Sequence, residues 1–270
     1  MIKSIFNSAL PLFLAAFLFS CSGNPNSEKE SETAPADSSM ANANPVTMEI
    51  QKYADREKDC KGEECTYVKL QMPVLVGSNE AALNQINSFI NGQFHEALKS
   101  RLAEPQGNTP LDAMCASFIQ SYELFLVEFP DSDQKWYLEI DGTESIVGDD
   151  YFTLVVNQDE YLGGAHPAIF TQLKSFELNT GNFIDIVDKY GKEKLLALAE
   201  RRFRTINELD STADLNDAGF MFEDGKFTLP ENMGLTKEGV LVVYNSYEVA
   251  SYAQGETRFT IPYSALAGDV

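Results

Sequence analysis

The sequence predicts an α+β fold of two small modules, in which mainly antiparallel sheets pack against helices. Several short segments alternate apolar and polar residues, which is typical of half-buried strands. Three longer segments repeat apolar residues at helical spacing. Strand-like segments follow one another through turns such as Asn179-Thr180-Gly181, without the regular strand and helix alternation of a parallel sheet.

The first module is predicted at residues 46–160. Its second strand carries apolar residues at every other position from Val68 to Val76, so one face of that strand belongs to a core. Its first helix has a single apolar stripe, and its second helix begins with proline at the first helical position. The predicted elements are a hairpin of 48–53 with 66–76, helices at 78–103 and from 109 to before Pro130, and strands around 136–140 and 151–157.

The second module is predicted at residues 161–270. A hairpin is expected from 169–178 and 183–186 around the Asn179-Thr180-Gly181 turn. A helix at 192–206 places its apolar residues on one side and three arginines toward water. The strands predicted to complete the sheet are 226–229, 240–244 and 257–262.

The N-terminus has the features of a cleaved export signal, predicted at residues 1–20. Lys3 precedes an apolar run that is too short for a bilayer span of roughly 20 helical residues. Leu18-Phe19-Ser20-Cys21 resembles the lipobox of bacterial lipoproteins, which implies that Cys21 becomes an N-terminus acylated with chains such as palmitate. The alternative is an ordinary cleaved signal with an incidental cysteine. In the lipoprotein interpretation the folded part is extracytoplasmic, and the residue after Cys21 resembles the outer-membrane sorting pattern.

A tether is predicted at residues 21–45, because this segment is rich in Ser, Asn, Ala, Pro and Glu and has no aromatic residue. The chain carries a formal net charge of -21, with the acids interspersed among apolar residues. This pattern indicates an acidic globular surface, which excludes a nucleic-acid-binding role. The charge either keeps a tethered protein soluble or favours a basic partner.

The cysteines and histidines point away from metal chemistry. Cys60 and Cys65 bracket a polar tip between two strand-like segments, so they are the candidate disulfide pair in an oxidising compartment. Cys115 falls on the apolar face of a predicted helix and is interpreted as a buried thiol. The chain has only two histidines, in different contexts, so no metal site or cofactor is predicted.

Two stretches carry more than composition. The first is Tyr161-Leu162-Gly163-Gly164-Ala165-His166-Pro167, with the later turn Asn179-Thr180-Gly181. It is similar to the join between the two extracytoplasmic domains of PdaC and RsiV-like proteins. The second runs from Leu235-Thr236-Lys237-Glu238-Gly239-Val240 through Tyr244 to Gly255 and ends at Ile261-Pro262-Tyr263, and it is similar to the closing half of the RsiV-type domain. The resemblance implies a PdaC-like domain at 46–160 and an RsiV-like domain at 161–270.

The resemblance also implies candidate partner-binding residues. RsiV-type receptors engage lysozyme through loops, which points to Tyr247, Ser251 and Tyr252. Tyrosines among small residues suit a contact surface, although they could equally close the end of a sheet. His166 is a further candidate for partner binding, while a structural loop is the alternative role of its glycine-rich segment.

The function predicted from these observations is non-catalytic. We expect a cell-envelope lipoprotein that binds an envelope partner, with lysozyme or a peptidoglycan fragment as the partner classes. The alternative is an enzyme acting on peptidoglycan or another glycan, or one associated with a deacetylase, using carboxylates such as Asp185 and Asp188. Their ordinary role would be to cap the end of a strand or the start of a helix.

Overall fold

The computed structural model describes residues 45–61, 64–104 and 109–268. The predicted signal peptide, Cys21 and nearly all of the predicted tether lie outside these residues. Within them, two sheets and five helices form the α+β fold predicted from the sequence, which is thereby confirmed. The described residues form one compact unit. No helix in the described part of the chain is long and apolar enough to cross a membrane.

The order of elements follows the sequence prediction closely in the first half and departs from it in places in the second. The strands are β1 (Thr47–Arg56), β2 (Tyr67–Val76), β3 (Tyr137–Asp141), β4 (Ile146–Val147), β5 (Tyr151–Tyr161), β6 (Ala168–Glu177), β7 (Met233–Leu235), β8 (Gly239–Tyr244) and β9 (Thr257–Pro262). The helices are α1 (Glu80–Lys99), α2 (Leu111–Glu128), α3 (Ile186–Tyr190), α4 (Lys192–Ile206) and α5 (Tyr263–Ala267).

The larger sheet has six strands, and β5 is its central element. One edge of β5 pairs with β3 and β4, and its other edge pairs with β6. All of these pairs are antiparallel, as is the β1–β2 hairpin, whereas β2 and β3 run parallel because α1 and α2 intervene between them. β6 lies beyond the domain boundary predicted at residue 160 and pairs with β5 in this same sheet.

The helices α1 and α2 provide the first hydrophobic core. The apolar stripe of α1 is buried along its length, with Ile86, Ile90, Phe94 and Leu98 fully enclosed against the sheet. Met114, Cys115 and Phe118 of α2 complete this core. The predicted periodicities of both helices therefore correspond to the faces that pack.

Cys115 is the free cysteine of the described residues, and it is fully buried in α2. Burial raises the pKa of its thiol to about 12, and the charges of Asp55 and Asp112 act in the same direction. Since the thiolate is the reactive form, we expect no labelling of a fragment spanning residues 43–270 by a thiol reagent at pH 8 until it is unfolded. One thiol should then react in urea. Rapid labelling in the native state would contradict this burial.

The three-stranded sheet of β7, β8 and β9 forms the second core with α4. Leu195, Ala199 and Phe203 of α4 are fully buried against this sheet and the segment before it. α4 begins and ends where the sequence predicts, because most of its apolar residues lie on one face and Gly191 precedes it. Two of its residues differ from the prediction: Ile206 is exposed, and Arg204 is largely buried and paired with Glu200.

Two strand predictions in this half are wrong. Residues 226–229 are not a strand. Phe227 there follows a short 3₁₀ turn and packs its ring against Phe203, with 5.4 Å between centroids. Residues 183–186 make only a single bridge, Phe176 to Phe183, before the chain enters α3. In both places the apolar residues that suggested a strand pack against other aromatic rings instead.

Asparagine side chains cover the outer edge of β6. The Asn245 carboxamide accepts from the Thr171 N–H at 2.7 Å and donates to the Thr171 carbonyl at 3.0 Å. The Asn232 carboxamide accepts from the Leu173 N–H and donates to the same Thr171 carbonyl, each at 2.7 Å. These four bonds satisfy an edge that would otherwise be open, and they attach β6 to the segments flanking β7 and β8.

Candidate functional site

The structure brings three of the predicted partner-binding residues into one cluster. The imidazole of His166 stacks on the ring of Tyr252, with centroids 3.9 Å apart and planes inclined by 21°. The hydroxyl of Tyr247 lies 3.2 Å from His166 Nε2, and its ring centroid is 5.7 Å from that of Tyr252. We call His166, Tyr247 and Tyr252 the His166 cluster.

The loop between β5 and β6 positions His166. Gly163 and Gly164 adopt φ of 94° and 117°, which side-chain-bearing residues rarely adopt. The Tyr161 hydroxyl donates to the Gly164 carbonyl at 2.9 Å and holds this turn. His166 Nδ1 lies 3.0 Å from the Pro167 carbonyl, and because a carbonyl oxygen only accepts, Nδ1 carries a proton in this contact.

The loop between β8 and β9 positions the two tyrosines. Tyr247 has φ of 69°, an uncommon conformation for a residue with a side chain, and its N–H donates to the Ala250 carbonyl at 3.1 Å. Ser251 caps a 3₁₀ turn at 252–254 through a reciprocal capping box with Gln254. The polar groups of Ser251 therefore order the loop that carries Tyr252.

The His166 cluster has few polar contacts. The hydrogen bonds of His166 go to a carbonyl and a phenol, and among the described residues none links it to a carboxylate. Tyr247 is 59% exposed, and its hydroxyl contacts His166, so part of its aromatic ring faces solvent.

The remaining predicted residues lie elsewhere. Cys60 and Cys65 are joined by a disulfide between β1 and β2. Asp185 caps α3 by accepting from the Asp188 N–H at 2.9 Å, which is the ordinary role considered for these acids. Cys21 lies outside the described residues. Among the residues that the structure describes, no group of three or more His, Cys, Asp or Glu side chains could hold a metal ion.

Sequence reasoning missed a row of tyrosines on the face of the larger sheet opposite α1 and α2. Tyr67, Tyr137 and Tyr161 occupy one register line on β2, β3 and β5, with ring centroids 5.7 and 6.4 Å apart. Burial, together with a hydrogen bond to Glu139, raises the pKa of Tyr67 to about 12. The row ends at Tyr161, beside the loop that carries His166. Tyr67 and Tyr137 are neighbours only because β2 and β3 pair in parallel, and the sequence did not predict that pairing.

Comparisons with known proteins agree with this architecture. The family model described as deacetylase PdaC matches residues 60–168, and the model for DUF3298, a family of proteins of unknown function, matches residues 184–264. No curated protein matches the chain.

Two solved structures share the fold. A DUF3298 family protein from Bacteroides fragilis is 20% identical, with a TM-score of 0.60 over 81% of this chain and 91% of that one. A DUF3298 family protein from Pseudomonas aeruginosa is 19% identical, with a TM-score of 0.55 over 83% and 94%. Residues 60–168 are therefore similar to the PdaC family and residues 184–264 to DUF3298, and the chain has the α+β fold of DUF3298 structures.

Proposed function

We propose that this protein is a lipid-anchored receptor of the bacterial cell envelope, which binds a basic partner such as lysozyme through the His166 cluster. The observation that carries the proposal is the preorganised, exposed aromatic surface of His166, Tyr247 and Tyr252 on a chain of net charge -21. Rigid aromatic side chains contribute most of the energy in many interfaces because little conformational entropy is lost on binding.

The electrostatics of the chain support a basic partner over an acidic one. An excess of negative charge accelerates the encounter with a cationic protein, and salt weakens that attraction. In the proposed arrangement Cys21 carries the acyl chains in the outer membrane, and the PdaC and DUF3298 domains stand outside the cytoplasm. The family models support an envelope-associated protein. Lysozyme as the partner is part of the proposal and is tested below.

The test is a calorimetric titration of residues 43–270 with lysozyme at low and physiological salt. We expect saturable binding that weakens as salt rises. Tyr252→Ala and Tyr247→Ala should each lower the affinity at least about tenfold, because each removes part of the aromatic surface. Tyr252→Phe keeps the ring that stacks on His166 and should bind like the unchanged protein.

The matched control is Tyr53→Ala, which removes a tyrosine of β1 outside the cluster. Equal loss in this control would mean that the effect is on stability and not on the interface. Absence of lysozyme binding at both salt concentrations would exclude this partner, and a parallel titration with soluble peptidoglycan fragments would then test the second partner class. Release of sugar or acetate from those fragments by the pure protein would instead favour the enzymatic alternative.

A further inference from the structure

A groove lies between α1 and the last strand of the larger sheet, on the face of the sheet that carries the helices. It has a volume of about 650 Å³, which is within the range of small-ligand sites. Leu154 and Val156 of β5 form its apolar floor. Its sides are formed by Phe89 and Gln93 of α1, Gln172 and Lys174 of β6, Phe183, Glu231 and Glu248, and we call it the α1–β6 groove.

One side of the groove combines aromatic rings with a lysine. The rings of Phe89 and Phe183 meet edge to face, with centroids 5.0 Å apart, and Phe183 is 53% exposed. Lys174 Nζ lies 5.0 Å from the Phe183 centroid. Lys174 forms no ion pair with any carboxylate in the described part of the chain, so its charge is available to a ligand anion.

The groove also has an acidic side. Glu231 and Glu248 are exposed, and neither forms an ion pair within the described ranges. Desolvation raises the pKa of the Glu248 carboxyl, the hydrogen bond from the Asn245 N–H opposes this, and the charge of Glu231 raises it again. A cationic group placed beside these two carboxylates would relieve their mutual repulsion.

The acidic side is attached to a fixed backbone. Glu231 precedes Asn232, and Glu248 accepts from the backbone of Asn245 at 2.9 Å. Both asparagines are bonded to β6, the strand that also carries Lys174. The backbone segments that carry Lys174, Glu231 and Glu248 are therefore joined by hydrogen bonds, and the aromatic rings lie beside them. Such fixed charges favour a ligand that carries both signs of charge and an apolar part.

We propose that the α1–β6 groove binds a short peptide with free termini, whose carboxylate pairs with Lys174, whose ammonium pairs with Glu231 and Glu248, and whose side chain packs against Phe89 and Phe183. This site is additional to the His166 cluster and does not depend on lysozyme binding. A larger protein rarely presents both of its termini together, so it does not offer this combination.

The test uses the full chain in detergent solution and the tripeptide alanyl-leucyl-alanine as the probe, titrated by calorimetry at low salt. We expect saturable binding to the free peptide. Acetylation of its N-terminus or amidation of its C-terminus should each weaken binding at least tenfold, since each removes one charge that the groove complements. Tyr252→Ala should leave peptide binding unchanged, which separates this site from the proposed receptor function.

Variants assign each charge to its side of the groove. Lys174→Gln should weaken binding of the free peptide but not of its C-terminal amide. The double variant Glu231→Gln, Glu248→Gln should weaken binding of the free peptide but not of its N-acetyl form. Lys189→Gln, which removes an exposed lysine of α3, is the matched control and should bind normally. Equal affinity for the free and blocked peptides, or no saturation at millimolar concentration, would overturn the proposal.

Discussion

Replacing Phe203 by alanine is expected to cost about 3–5 kcal/mol of unfolding free energy, the range for a large aromatic removed from a rigid core. Phe203 is fully buried on α4 and occupies the centre of the second core. Four of its five ring contacts are edge to face or nearly perpendicular, an arrangement that adds to the free energy gained from buried area. The rings around it are those of Phe220, Phe222, Phe227, Tyr244 and Phe259, with centroids 4.8 to 6.4 Å from the Phe203 centroid.

The measurement is urea unfolding of residues 43–270, followed by circular dichroism and by tryptophan fluorescence. The single tryptophan, Trp136, packs against the first core, whereas Phe203 lies in the second. If the two cores unfold as one cooperative unit, Phe203→Ala should move both transitions to the same lower midpoint. Phe129→Ala, at a half-exposed position, is the control and should cost about 1 kcal/mol or less. A loss for Phe203→Ala no larger than that of Phe129→Ala would contradict the packing described here.

The sequence is most informative where one periodicity dominates. The α4 helix is predicted at its observed bounds because a single apolar stripe is flanked by glycine and by polar residues. The β9 strand is predicted equally well between Gly255 and the helix that follows Pro262. The hairpin of β1 and β2 is also found, since Val68, Leu70 and Met72 alternate with polar residues and are buried as expected. Beyond Pro73 the alternation ends: Leu75 is buried, and Val76, which is expected on the core face, is exposed.

Features that depend on distant partners are not predictable in this way. β2 and β3 pair in parallel, and the chain forms α1 and α2 between these two strands. No local sequence pattern predicts this pairing. Residues 226–229 have the alternation of a strand, yet Phe227 packs into the aromatic group around Phe203 and the segment forms no strand. Local propensity is a weak guide where tertiary packing offers an alternative.

In the candidate site, too, the residues could be predicted from the sequence but their contacts could not. His166, Tyr247 and Tyr252 are each singled out from the sequence, but their meeting is a property of the fold. The stack of His166 on Tyr252 requires the left-handed turn at Gly163 and Gly164 and the cap that Ser251 supplies. The α1–β6 groove is not visible in the sequence at all, because its sides come from five separate segments.

Asn232→Ala is expected to have the second largest effect, a loss of about 2–4 kcal/mol of unfolding free energy. The substitution removes two hydrogen bonds of 2.7 Å to the outer edge of β6, one from the Leu173 N–H and one to the Thr171 carbonyl. Thr171 and Leu173 are only 4% and 6% exposed, so water cannot readily replace the amide. A buried backbone group left without a partner costs about 1–3 kcal/mol.

Urea unfolding of residues 43–270 measures the loss, and hydrogen exchange of the Leu173 amide locates it. Asn84→Ala, on the exposed face of α1, is the matched control and should be neutral or slightly stabilising, since alanine is the better helix former. Asn245→Ala combined with Asn232→Ala should deviate from additivity by at least about 0.5 kcal/mol, because both amides donate to the Thr171 carbonyl. Additive losses, with no faster exchange at Leu173, would mean that the two asparagines act independently and that the edge of β6 is satisfied without them. Coupled losses with rapid exchange at Leu173 would instead show that this pair of side chains is what joins the edge of the larger sheet to the segments that carry β7 and β8.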